Sequence, residues 1–392
     1  MDARGRRRYG AVAGRELRGV KMDIVGGDWL STDEVVSPDV LIEAIDGAAT
    51  IEDLVAIRPQ ADRILEKRLA EGRSAKRMTR LVTDFNDRIT LKLLKIILDR
   101  ILEQGGGRPP SPFTWISLGS EGRLEQALRT DQDNALAYQD VPASREQETQ
   151  KWFLNLSKQM VDGLVRCGFP PCPGDIMASN PAYCQSESAW RSLFMGWVRD
   201  PNPHTLRMIS IFFDFRPIYQ ERNFLAELRE EIDQAIKETP HFLRFMAKNS
   251  LENVPPLSMF RQLVVEKSGE HKGKINIKMR GLTPVVDAAR IMALDFNIRA
   301  TNTLERLEAE PVRKVLGSRF INDLREAYSF LTLVKIALHL DARAEGRVPD
   351  NYLNPDELSN FRRMMLKESF ALINRLQDTM KFRYQTQFVL EV

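Results

Sequence analysis

Cysteine, histidine and tryptophan are scarce in this sequence: three, four and five residues among 392. Cys167, Cys172 and Cys184 are odd in number and confined to one region, which argues against a disulfide framework and fits a reducing cytoplasm. They lack Cys-x-x-Cys spacing and no histidine lies close in sequence, so little supports a zinc site among them. No apolar run approaches the ~18 residues of a membrane-spanning helix. An excess of either charge is missing too: 57 Lys and Arg against 54 Asp and Glu leave +3, which gives no support for a dedicated nucleic-acid binder. With 43% hydrophobic and 28% charged residues, the length suits a soluble globular protein of two or three domains.

Near the start, Arg4, Arg6, Arg7 and Arg8 precede a stretch that Gly14, Arg15, Glu16, Arg18 and Gly19 interrupt, so no signal-peptide core is present. Residues 1–30 read as a disordered tail, with Met22 an alternative start. Ser31-Thr32-Asp33-Glu34 and Ser37-Pro38-Asp39 are helix-start signals. From Thr50 to Leu102 apolar residues recur at helical spacing, which predicts an N-terminal helical subdomain over 31–108 that packs on a core or docks a partner. Gly105-Gly106-Gly107-Arg108-Pro109-Pro110 is a hinge-like break.

The most informative stretch follows, Phe113 to Tyr138. Phe113, Trp115, Ile116 and Leu118 predict a buried strand. Gly119 and Ser120 end it: glycine permits a sharp turn and close ligand approach, and the serine stands where a helix begins, an arrangement suited to an anion. Glu121 to Arg129 predicts a helix with Leu124 and Leu128 inward and Arg123 in its first turn. Thr130 to Tyr138 predicts a second strand, on which Asp131 and Asp133 share a face. Two adjacent carboxylates repel unless a divalent cation lies between them.

The string GSEGRLEQALRTDQDNAL resembles the DUF294 nucleotidyltransferases, a GlnD-type branch of the DNA polymerase β-like superfamily, although Gln132 and Asn134 are polar where the superfamily usually has hydrophobic residues. The segment Cys172 to Pro181 also resembles this family, and there Ser179 and Asn180 read either as substrate contacts or as a capped turn before Pro181. Leu206 to Arg216 reads as a buried strand carrying Asp214, and FFDFR matches the family string that holds the third carboxylate. A lone buried Asp needs a metal or a cationic partner, and Arg216 or Arg207 is the alternative to metal.

The resemblance implies an α+β protein: a polymerase β-like sheet core over 109–222, flanked by the N-terminal helices and a mainly helical domain over 223–392. In that second half, Leu263–Glu266 and Lys274–Lys278 predict a hairpin, and LTPVVDAARIMAL begins a region similar to the domain that accompanies the family core. Four helices follow near 286–294, 303–307, 320–340 and 355–384.

The implied chemistry is nucleotidyl transfer, in which catalysis rests on positioning and charge neutralisation. In that scheme Asp131, Asp133 and Asp214 hold two Mg²⁺ ions (Mn²⁺ is an alternative) roughly 4 Å apart. Gly119 and Ser120 cradle the terminal phosphates and Arg123 stabilises pyrophosphate, unless it is an exposed helix arginine. Lys278 reaches the phosphates or is a solvated strand residue. By resemblance to protein-PII uridylyltransferase, a nucleoside triphosphate is the donor and a protein the acceptor, in a cytoplasmic signalling role without nucleic acid or membrane. The hydrolase domain of that enzyme is not expected, since none of His204, His241, His271 and His339 is followed by Asp; regulation by a partner chain is the corollary. A non-catalytic nucleotide-binding module and a small-molecule nucleotidyltransferase are the other readings.

Overall fold

Alternation along two central strands separates the molecule's two main cores. Strand β1 (Phe113–Ser117) pairs antiparallel with β2 (Asn134–Tyr138), Trp115 opposite Leu136 and Phe113 opposite Tyr138. These four side chains point to one face and join a cluster with the N-terminal helices, while Ile116, Ala135 and Ala137 point to the other and join the core of the second half. Because side chains alternate along a strand, one short pair serves both layers. All ten residues of the pair are buried, as expected of a sheet covered on both faces.

The structure, a computed structural model, describes residues 37–71, 74–126 and 131–388. The expected tail, Met22, the Ser31–Glu34 cap and residues Leu128, Arg129 and Thr130 lie outside these. Ser37 caps α1 (Pro38–Gly47) by accepting from the Val40 N–H at 3.3 Å. Helices α2 (Ile51–Ala70) and α3 (Ala75–Glu103) complete the first layer. After β1 comes α4 (Gly119–Gly122), a single turn, then β2 and the long α5 (Ala143–Arg166). Helix α5 crosses to β3 (Cys184–Ser186), which runs parallel to β2. Helices α6 (Glu187–Arg199) and α7 (Pro203–Phe212) lead to β4 (Arg216–Gln220), antiparallel to β1, giving the order β3-β2-β1-β4.

The second half is helical: α8 (Phe224–Glu238), α9 (His241–Ser250), α10 (Thr283–Asp295), α11 (Thr303–Glu308), α12 (Glu310–Leu316), α13 (Ser318–Ala344) and α14 (Asn360–Arg383). A π-helical turn, Lys278–Leu282, runs into α10. The whole is the α+β arrangement that the sequence implies. No helix among the described residues is long and apolar enough to cross a membrane.

Three expected elements differ. The predicted helix from Glu121 stops after one turn, since Leu124 takes φ +60°, the left-handed region. Leu206 to Arg216 is not a strand: α7 occupies its first part, with Leu206, Ile209, Phe212 and Phe213 buried at helical spacing. Its start is fixed by reciprocal bonds between Asn202 and Thr205 (2.8 and 3.1 Å), a cap that is legible once Pro203 is read as the first helical residue. In the expected hairpin only the turn closes, through Glu266 and Gly273–Lys274, while β5 (Ile275–Asn276) pairs with β6 (Tyr352–Leu353).

Because Trp115 anchors the first core at 1% exposure, Trp115→Ala should cost about 3–5 kcal/mol. Urea denaturation of the variant against the parent checks this.

Candidate active site

The segment entering β2 brings the two sequence-predicted aspartates together. Asp131, Asp133 and Cys172 place one ligand atom each within 4.8 Å of one another. Leu118 N–H donates to the Asp133 carbonyl at 3.0 Å, which seats Asp133 against the Gly119 turn. Gly119 has φ +54°, and a Cβ there would lie 2.8 Å from an Asp133 carboxylate oxygen, so the turn and the carboxylate are packed with no room for a side chain.

On the opposite face of the same segment, Gln132 and Asn134 explain their polarity. Gln132 Nε2 donates to the Val161 and Phe169 carbonyls at 3.5 and 3.3 Å, Asn134 Nδ2 donates to Gln132 Oε1 at 3.1 Å, and Asn134 Oδ1 accepts from the Ala178 N–H at 2.8 Å. These bonds fasten the aspartate segment to the irregular 168–178 loop, which delivers Cys172. Burial pushes the Cys172 thiol up to about 12, with the neighbouring Asp133 adding to the effect, so the sulfur stays protonated and donates to that carboxylate. Burial also pushes Asp133 up to about 6, with Asp131 adding and the Cys172 bond opposing. The three cysteines do not converge, since Cys167 lies in the first core and Cys184 accepts from Ser157. Asn180 caps the turn at Pro181, accepting from Ala182 N–H at 2.9 Å and donating to Asp175 at 2.8 Å.

Asp214 has a different setting. It lies in the turn between α7 and β4, fully buried, and its carboxylate receives Arg123 Nη1 at 2.7 Å, Arg290 Nη2 at 2.6 Å and Arg306 Nη1 at 2.6 Å. Burial alone would raise its pKa, but the three guanidinium groups outweigh this and hold it far below the ordinary carboxylate range. It does not belong to the Asp131, Asp133 and Cys172 group. Neither Arg207 nor Arg216 is its partner: Arg216 donates to the Glu121 carbonyl and to both Asp87 oxygens. A Cβ on Gly122 would run into the Asp214 carbonyl oxygen, so Gly122 is the glycine that this approach requires.

Arg123 is 13% exposed and also pairs with Glu125 at 2.9 Å. Glu125 in turn accepts from the Thr303 N–H at 2.6 Å, Thr303 Oγ1 at 3.1 Å and Tyr328 Oη at 2.9 Å, and Asn302 Nδ2 donates to the Arg123 carbonyl at 3.1 Å. These bonds from the second half stop α4 after one turn, at a cost in local helix propensity that long-range polar contacts offset. Arg306, Tyr328 and Lys335 have no motif to mark them, and Arg290 stands in the LTPVVDAARIMAL string without being singled out by it. The available signal was periodic: Tyr328, Thr332, Lys335 and His339 form a buried polar stripe at helical spacing along α13.

Two family models match, that described as "Putative nucleotidyltransferase DUF294" over residues 59–204 and that described as "Putative nucleotidyltransferase substrate binding domain" over 240–384, together about three quarters of the chain. The chain belongs to the DUF294 nucleotidyltransferase family. No curated protein matches it. The first DUF294 match contains the Gly119 turn and both aspartates; the second contains Lys278, Arg290, Arg306 and Lys335; Asp214 falls between them.

Removing the charge at Asp214 would strand three buried guanidinium groups, so Asp214→Asn should cost about 3–5 kcal/mol in urea denaturation. Glu121 supplies a pH test. Burial pushes its carboxyl up to about 8 from an ordinary 4.5, so the folded chain holds a proton that the unfolded chain releases. Stability should therefore fall as pH rises from about 4.5 to 8, and Glu121→Gln should flatten that decline in denaturation midpoints measured across the interval.

Proposed function

We propose that the protein is a divalent-metal-dependent nucleotidyltransferase that moves a nucleoside monophosphate from a nucleoside triphosphate to an acceptor hydroxyl, releasing pyrophosphate. The observation that carries this reading is the convergence of Asp131 and Asp133 against the backbone of Gly119 in a family of nucleotidyltransferases. The donor set fits a hard cation, since two carboxylates supply oxygen ligands. Asp131 and Asp133 would hold Mg²⁺, or Mn²⁺, which when bound would neutralise triphosphate charge and acidify the acceptor hydroxyl.

The remaining roles belong to the chain itself. Cys172 orients Asp133, and the Gly119-Ser120 turn offers a close approach to the donor's phosphates. Asp214, expected as a third ligand, is assigned here to hold Arg123, Arg290 and Arg306 in place, because both its oxygens are already engaged by cations. The chain divides on this reading into a helical segment (31–108), a transferase core (109–222) and a substrate-binding half (223–392). The resemblance to protein-PII uridylyltransferase supports a protein acceptor, a signalling role and control by a partner chain in the cytoplasm, where three free buried cysteines stay reduced.

A second reading has its own support. With Asp214 engaged by arginines, two carboxylates converge among the described residues, which suits a module that binds nucleotide without transferring it. Incubation with each labelled nucleoside triphosphate and Mg²⁺, with and without candidate acceptor proteins, separates the two. Transfer of label is expected, and Asp131→Asn and Asp133→Asn should each reduce it by at least about 10²-fold while leaving the fold intact. Label that never leaves the nucleotide would favour the module, and full activity in both variants would overturn the metal assignment.

A further inference from the structure

The cations around the candidate site fall into two classes. Arg123, Arg290 and Arg306 are matched by Asp214, Asp287 and Glu125 in contacts of 2.6 to 2.9 Å. A guanidinium held this way has little left to offer a ligand, and Arg123 is further constrained because its own carbonyl accepts from Asn302. Lys335 is the contrary case. It is 7% exposed on α13, and among the described residues no acceptor lies within hydrogen-bonding distance of its ammonium. A buried ammonium without a partner is costly, and its natural complement is an anion absent from the free chain.

What faces Lys335 identifies that anion. The charged groups acting on it are Lys278 from the π-helical turn, Arg123 from the Gly119 turn, and Asp131 and Glu125. Burial first, then Lys278 and Arg123, pull its ammonium down to about 7 against the two carboxylates. Lys278 is exposed and also acts electrostatically on Asp133. Lys335 shares a face of α13 with Tyr328, two turns back, whose hydroxyl donates to Glu125 beside Arg123, and the π-helical turn that carries Lys278 packs on α13, so both lysines belong to the wall of the second half that meets the glycine turn. Neither forms an ion pair among the described residues. Cations grouped beside a candidate metal site suit a ligand carrying several negative charges that also touches the metal, which describes a polyphosphate.

We propose that Lys335, with Lys278, binds the polyphosphate of the nucleotide donor, and that Arg123, sequestered by Asp214 and Glu125, does not. This rests on the nucleotidyltransferase reading and specifies the donor subsite within it.

Inorganic tripolyphosphate with excess Mg²⁺ is the probe, followed by calorimetric titration of the full chain. The parent should bind, Lys335→Met should weaken binding at least about 30-fold, Lys335→Arg should restore most of it, and Lys314→Ala, an exposed lysine on α12, should change nothing. Thermal unfolding separates this from a structural role. Lys335→Met removes a lone buried charge, so without ligand it should unfold at or above the parent temperature, and it should lose the upward shift that tripolyphosphate gives the parent. No binding by the parent, or unchanged binding by Lys335→Met, overturns the proposal. Label transfer combined with unchanged Lys335→Met binding defeats this inference alone; Lys335-dependent binding without transfer from any nucleotide defeats the transferase reading alone.

Discussion

One buried carboxylate holds the two halves of the chain in register. Asp214 comes from the turn between α7 and β4, Arg123 from the end of the glycine turn, and Arg290 and Arg306 from helices of the second half. Each of these groups would be expensive to bury alone, and each is buried here because the others are. Asp287 and Glu125 complete the balance, and Glu125 extends it to Thr303 and Tyr328. Ion clusters of this kind add little stability over apolar packing of the same volume, but they accept few alternative geometries. The result is a glycine turn whose position is dictated from the second half of the molecule.

The sheet gives that turn its other boundary. Residues of one parity on β1 and β2 pack on the N-terminal helices and those of the other on the helical second half, so a shift of register by one residue would exchange the two cores. The same alternation extends upstream of β2. Asp131 and Asp133 share the parity of Ala135 and Ala137, facing the second half, while Gln132 and Asn134 share that of Leu136 and are spent on the 168–178 loop. These two polar residues are thus structural ties to the loop, and they free the aspartates from any packing duty.

Local signals in the sequence carried much of this. The Ser37 cap, the apolar run of β1, the crossover helix α5 and the C-terminal helices follow from patterns a few residues long. The pairing of Asp131 with Asp133 follows from strand parity and the motif. What was not legible depends on partners distant in sequence. The stretch after Gly122 has the composition of a helix, yet Glu125 is claimed by Thr303 and Tyr328, some 180 and 200 positions away. Leu206 to Phe213 is dense in β-branched and aromatic residues, and its length fits either element; the Asn202–Thr205 cap decides for helix. Of the three arginines on Asp214, Arg123 and Arg290 stand in family strings that do not reveal their partner and Arg306 stands in none, and an isolated aspartate in an apolar run says only that some cation must meet it.

The contrast between paired arginines and unpaired lysines has an electrostatic consequence. In the free chain Lys278 acts on Asp133 and Asp131 acts on Lys335, and among the described residues neither lysine forms an ion pair, so they and the aspartates moderate one another at a distance. A divalent cation settling on the aspartates would remove the negative charge that the lysines feel and leave them in search of an anion; a polyphosphate on the lysines would do the converse for the aspartates. Each ligand relieves the unfavourable field the other creates, so metal and polyphosphate should bind with mutually raised affinity, by linkage and without any movement of the chain. The arginine cluster is held by carboxylates of its own, so although Arg123 acts on Lys335 and Asp133 from a distance, its three guanidinium groups stay tied to Asp214, Asp287 and Glu125. That tie suits its role: a scaffold free to move toward the ligand's charge would shift the turn on which the ligand rests.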